Sequence, residues 1–112
     1  MATPGPATPG TPAIVVIDLN PVNGKFSYGG AGDRPTVNRG QPIEWSCTVG
    51  PFAVHFDRSN GTPCPAVQYQ GSPGGNAKAH ILANAASGTY KYIVAVVGPT
   101  GIYIDDPEVI VP

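Results

Sequence analysis

The chain has 112 residues, enough for one domain and one core. Glycine (15) and proline (14) make up about a quarter of it, yet only 12% of residues are charged and the net charge is −1. That excludes both a charge-driven disordered chain and a basic nucleic-acid binder, while 12 valines and 8 isoleucines against 2 leucines exclude a helical bundle.

Residues 1–12 (MATPGPATPGTP) hold four prolines, two glycines and three threonines. Such a segment buries too little apolar surface to order itself, so it reads as a flexible arm ahead of one domain over 13–112. Its polyproline-like composition also suits docking on a partner or a neighbouring subunit. The start shows no basic region followed by an apolar stretch, so no signal peptide is expected. No apolar run approaches the ~20 residues of a membrane span.

From residue 13 the chain reads as strands. Residues 13–19 (AIVVIDL) form an apolar run stopped by Asn20-Pro21. Residues 25–28 (KFSY) are a shorter candidate, and 36–38 a short edge strand. Residues 42–49 (PIEWSCTV) alternate, with Ile43, Trp45, Cys47 and Val49 sharing one face. After the Gly50-Pro51 turn, 52–57 (FAVHFD) alternates again: Phe52, Val54 and Phe56 oppose Ala53, His55 and Asp57. Residues 58–76 read as one long loop rich in glycine and proline. Strands follow at 77–82, at 89–97 (TYKYIVAVV) and at 107–111 (PEVIV). Seven or eight short strands with turn signals between them predict an all-β, antiparallel sandwich or barrel. The expected core comprises Ile14, Val16, Ile43, Trp45, Cys47, Val54, Phe56, Ile81, Tyr90, Tyr92, Val94 and Val109.

The second half, roughly 38–112, resembles the cupredoxin family. The matching pieces are the pair PIEWSCTV–GPFAVHFD, then SGTYKYIV, then PEVIV. The resemblance implies a Greek-key β-sandwich, with an immunoglobulin-like sandwich as the neighbouring alternative. Copper-binding members of the family place a cysteine in the strand that Gly88–Ile93 matches, but Val94 stands at that position. They place a histidine in the strand that Pro51–Phe56 matches, but Phe52 stands there. The segment after Val94 holds no histidine and no methionine. A blue-copper centre needs two histidines and a cysteine thiolate. The resemblance therefore implies a cupredoxin-like sandwich without copper, and no metal or other cofactor is expected. A divergent copper-binding protein remains the second alternative.

Cys47 lies on the inward face of its strand, and Cys64 lies between Pro63 and Pro65 in the long loop. If that loop returns over the end of the sandwich, a Cys47–Cys64 disulfide forms. Such a bridge would close roughly 18 residues and stabilise by about 3 kcal/mol. It would suit an extracellular or periplasmic setting; a genuine lack of a signal peptide would suit the cytoplasm instead. Two unrelated thiols are the alternative.

No catalytic constellation is expected. Alternation sends Cys47 and His55 to opposite faces, His80 reads as exposed, and GSPGG at 71–75 lacks the lysine and strand–helix context of a phosphate loop. The sequence thus predicts a non-catalytic binding or structural module acting through protein–protein contacts. It is expected to self-assemble through its arm and edge strands. The alternative is recognition of a small ligand or carbohydrate by Tyr28, Tyr69 and Tyr103, aromatics set among glycines on loops.

Overall fold

The computed structural model describes residues 11–56 and 61–112. Among these, nine strands and no helix are present. They are β1 (Ala13–Asn20), β2 (Lys25–Gly30), β3 (Pro42–Cys47), β4 (Phe52–Phe56), β5 (Gln68–Gly71), β6 (Asn76–His80), β7 (Gly88–Gly98), β8 (Gly101–Asp105) and β9 (Glu108–Val111). One sheet has the order β2-β1-β3-β6, and the other β5-β4-β7-β8, with β9 also paired to β7. All pairs are antiparallel except β1 with β3, which run parallel.

The two sheets face each other across one core. Trp45 of β3 is fully buried, with Phe56 of β4 and Tyr92 of β7 packed edge-on at 6.2 and 5.8 Å between ring centroids. These contacts come from the period of two: Ile43, Trp45 and Cys47 point inward from β3, and Phe52, Val54 and Phe56 from β4. Edge-to-face aromatic pairs add about 0.5–1.5 kcal/mol each beyond the area they bury.

In β1 the observed phase is the reverse of the expected one. Val15, Ile17 and Leu19 are buried, whereas Ile14 and Val16 remain 39% and 41% exposed. The run Ile14–Ile17 is apolar on both faces and carries no phase information. Asp18 and Asn20 decide it, because placing them outward sends the odd-numbered residues inward. Tyr90, also expected in the core, is only partly buried; its hydroxyl reaches the Ala86 carbonyl at 2.7 Å.

Two strands lie where loops were expected. Within 58–76 the short β5 pairs with β4, and between β7 and β9 lies β8. The 11-residue β7 is long enough to take two partners along one side, β9 over Gly88–Lys91 and β8 over Val94–Gly98. Residue 36 forms a single parallel bridge to Ile110 rather than a strand, and Val37 beside it is fully buried. The arm at 1–10 and Asp57 lie outside the described residues.

The expected Cys47–Cys64 disulfide is not formed; both thiols are free and buried. The loop holding Cys64 does not return over the Cys47 end of β3. The Pro63 carbonyl accepts from Leu82 N (2.8 Å), and Ile81 N donates to Gln41 O (2.9 Å), which ties the loop to the Pro42 end. Cys47 closes the other end of β3, about 16 Å away at 3.3 Å per residue. A disulfide requires Cα atoms within about 7 Å.

Candidate functional site

The three tyrosines singled out in the sequence do not meet in one place. Tyr28 points inward from β2, and its hydroxyl donates to the Asp105 carboxylate of β8 at 2.7 Å. Burial, then the Asp105 hydrogen bond and charge, raise its pKa. Tyr103 of β8 shares a hydrogen bond with Thr100 Oγ1 (2.6 Å) and donates to the Pro21 carbonyl (3.2 Å). Tyr28 and Tyr103 thus stitch the β2 edge of one sheet to the β8 edge of the other, which shields both edges. Tyr69 of β5 stacks on Trp45 (5.9 Å, 27°), and its hydroxyl accepts from Ala66 N at 2.9 Å. All three hydroxyls are engaged within the chain.

The polar groups are equally dispersed. His55 lies on the outer face of β4, its Nδ1 3.3 Å from Gln68 Oε1, while Cys47 points into the core. His80 is exposed on the outer face of the other sheet, in register with Pro42. Cys64 is buried against Thr62, whose Oγ1 accepts from Cys64 N (3.1 Å). Burial pushes its thiol up to about 12, so it stays protonated and unreactive at neutral pH. Among the described residues no three His, Cys, Asp or Glu side chains come together as a metal site. No helix there is long and apolar enough to cross a membrane.

What stands out is the outer face of the five-stranded sheet. Ile102 and Ile104 of β8 are 68% and 66% exposed, and Val97 and Ile93 of β7 are 48% and 43% exposed. Register places them in three rows: Val97 beside Ile102, Ala53–Ala95–Ile104, and His55–Ile93. No Asp, Glu, Lys or Arg stands among them. The patch ends at the Lys91–Asp106 ion pair (3.7 Å), beside a groove of about 360 Å³ where β7 changes partner from β8 to β9. A second hollow of about 250 Å³ is floored by Ala53, Ala95 and Gly71 and walled by Gln70, Val97 and Ile102. The other sheet turns Asp18, Asn20, Glu44, Asn76, Lys78 and His80 outward around Ile14 and Val16.

This face was missed at the level of sequence because only one side of TYKYIVAVV was assigned to the core. The signal is there: residues 92, 94 and 96 are apolar, and so are 93, 95 and 97. A strand apolar on both sides is either covered twice or exposed once. The chain matches no protein-family model, and no curated protein matches it.

Proposed function

We propose that this chain is a cupredoxin-like, Greek-key β-sandwich without a copper centre. It acts as a non-catalytic binding module that docks on protein through the outer face of its five-stranded sheet. One observation carries the docking role: four exposed branched aliphatics in adjacent register form a patch without Asp, Glu, Lys or Arg on one sheet face, where the opposite sheet shows a mostly polar one. Contiguous exposed apolar area of a few hundred Å² is what marks interaction surfaces on soluble proteins.

Two features support the family reading. β4 and β7, the strands that carry the resemblance, are direct neighbours. Phe52 and Val94, at the positions where copper-binding relatives would hold ligands, are both buried among apolar side chains. Burying hydrocarbon at both positions stabilises the core and leaves the chain's contacts with other molecules to its surface.

The test is site-specific photocrosslinking in the native host. A benzophenone amino acid replaces Ile104 in one variant and Lys78, on the outer face of the opposite sheet, in another. Protein adducts from position 104 that are absent from position 78 are expected. No protein adduct from position 104 would refute the docking role.

A further inference from the structure

Resting on that docking role, we infer that the occupant of the apolar face is a second copy of this chain. The two copies would pack face to face about a two-fold axis.

The shape of the face argues for it. It carries a ridge, Ile102 and Ile104, and beside the ridge a hollow floored by Ala53 and Ala95. Ridge and hollow lie in the same rows, because Ile104 pairs with Ala95 and Ala95 with Ala53. A two-fold axis passing between them puts the ridge of each copy into the hollow of the other. This is the self-complementarity an isologous interface requires. At about 250 Å³ the hollow is smaller than the roughly 300–1,000 Å³ of small-molecule pockets, so it suits a side chain better than a separate ligand.

Charge argues the same way. Near a two-fold axis a charge meets its own copy, and like charges in contact are costly. Ile93, Ala95, Val97, Ile102, Ile104 and Ala53 carry none, and at the rim, among the described residues, Lys91 and Asp106 are paired with each other.

Size sets the strength. Four strands about 4.8 Å apart and five residues at about 3.3 Å give a flat footprint of roughly 320 Å² per copy. Stable interfaces bury about 800 Å² per partner, so the dimer is weak and reversible.

The experiment is sedimentation equilibrium of the full chain from about 5 µM to about 1 mM, where mass action makes a weak dimer visible. Wild type is expected to shift from monomer to dimer across that range. Ile104→Glu is expected to weaken dimerisation at least tenfold, with an unchanged circular dichroism spectrum because the side chain is exposed. Ala53→Lys alone is expected to do the same. An equimolar mixture of the two variants is expected to recover dimer. In the mixed pair, one contact sets the introduced carboxylate against the introduced ammonium, while the other keeps its native Ile104 and Ala53.

A wild-type monomer at every concentration overturns the inference. A dimer indifferent to Ile104→Glu also overturns it, pointing to the arm or an edge strand instead. Failure of the mixture to recover overturns the ridge-in-hollow packing. If wild type stays monomeric but position 104 still crosslinks to a different protein, this inference fails while the docking role stands.

Discussion

Tyr92 gives the sharpest test of the packing described above. Its phenol is fully buried between Trp45 and Phe56, and among the described residues neither its hydroxyl nor the Trp45 indole N–H has a hydrogen-bond partner. The indole N–H lies close enough to oppose the rise in the Tyr92 pKa that burial causes, but not in hydrogen-bonding geometry. An unpartnered buried hydroxyl costs about 1–3 kcal/mol of desolvation. Tyr92→Phe removes that oxygen and leaves the ring contacts at 5.8 Å to Trp45 and 5.3 Å to Phe56. We expect it to stabilise the fold by about 1 kcal/mol, the small void left by the oxygen offsetting part of the gain. At about 2.1 cal/mol/K per residue, that raises Tm by about 4 °C.

Tyr28→Phe is the control, since it deletes the same atom where it has a partner. Its hydroxyl donates to Asp105 at 2.7 Å, so the loss is expected to cost about 1–2 kcal/mol. Thermal and urea unfolding followed by circular dichroism measure both variants. The opposite signs are the prediction. If Tyr92→Phe destabilises by about 1 kcal/mol or more, the Tyr92 hydroxyl has a partner and the reasoning is refuted.

Four further outcomes are expected. Cys64 ionises near its ordinary pKa of 9.0 when unfolded but only near 12 when folded, so the unfolded chain binds fewer protons over that interval. Stability is therefore expected to fall as pH rises from 9 toward 12, with Cys64 contributing a slope of about 1.4 kcal/mol per pH unit. Cys64→Ala should flatten the slope, and urea titrations at stepped pH read it directly. Both thiols are expected to resist a thiol-specific dye under native conditions and to react in full in urea. A Cβ at Gly50 would overlap the Val97 carbonyl oxygen, so Gly50→Ala must displace backbone and is expected to cost at least about 2 kcal/mol. Gly40→Ala meets no atom but has φ +80°, so about 1 kcal/mol is expected, both read from urea midpoints.

How much was legible in the sequence depended on whether polar residues marked the phase. In β3 and β4, Glu44, Ser46 and His55 alternate with apolar residues, and the inward faces follow from the sequence alone. In β1 the marks come only at Asp18 and Asn20, after four apolar residues, and Ile14 and Val16 were assigned to the wrong side. β5 escaped because QYQG contributes a single inward ring, Tyr69, and holds its place by pairing with β4 rather than by composition. β8 escaped because its alternation is inverted: aromatic and acid face inward, Tyr103 and Asp105, while the isoleucines face out. Reading the isoleucines as core would have hidden the face they build. The tyrosines looked like ligand platforms because they sit among glycines. What a sequence does not carry is that Asp105 and Pro21, 77 and 82 residues away in the chain, accept hydrogen bonds from the Tyr28 and Tyr103 hydroxyls.

The unequal finish of the two sheets also limits how far association can run. Pairing through the five-stranded sheet uses up the dry surface, and each copy then presents its polar sheet to solvent. On one side of the sandwich the lateral edges offer little for growth, since β2 and β8 are already tied to each other through Tyr28 and Tyr103. The dimer inferred above would be a stack of four layers, with a mostly polar sheet on each outside. A second apolar face would have let the same contact repeat into a fibre. Asp18, Glu44 and Lys78, turned outward on the opposite sheet, are the residues that would stop such a repeat.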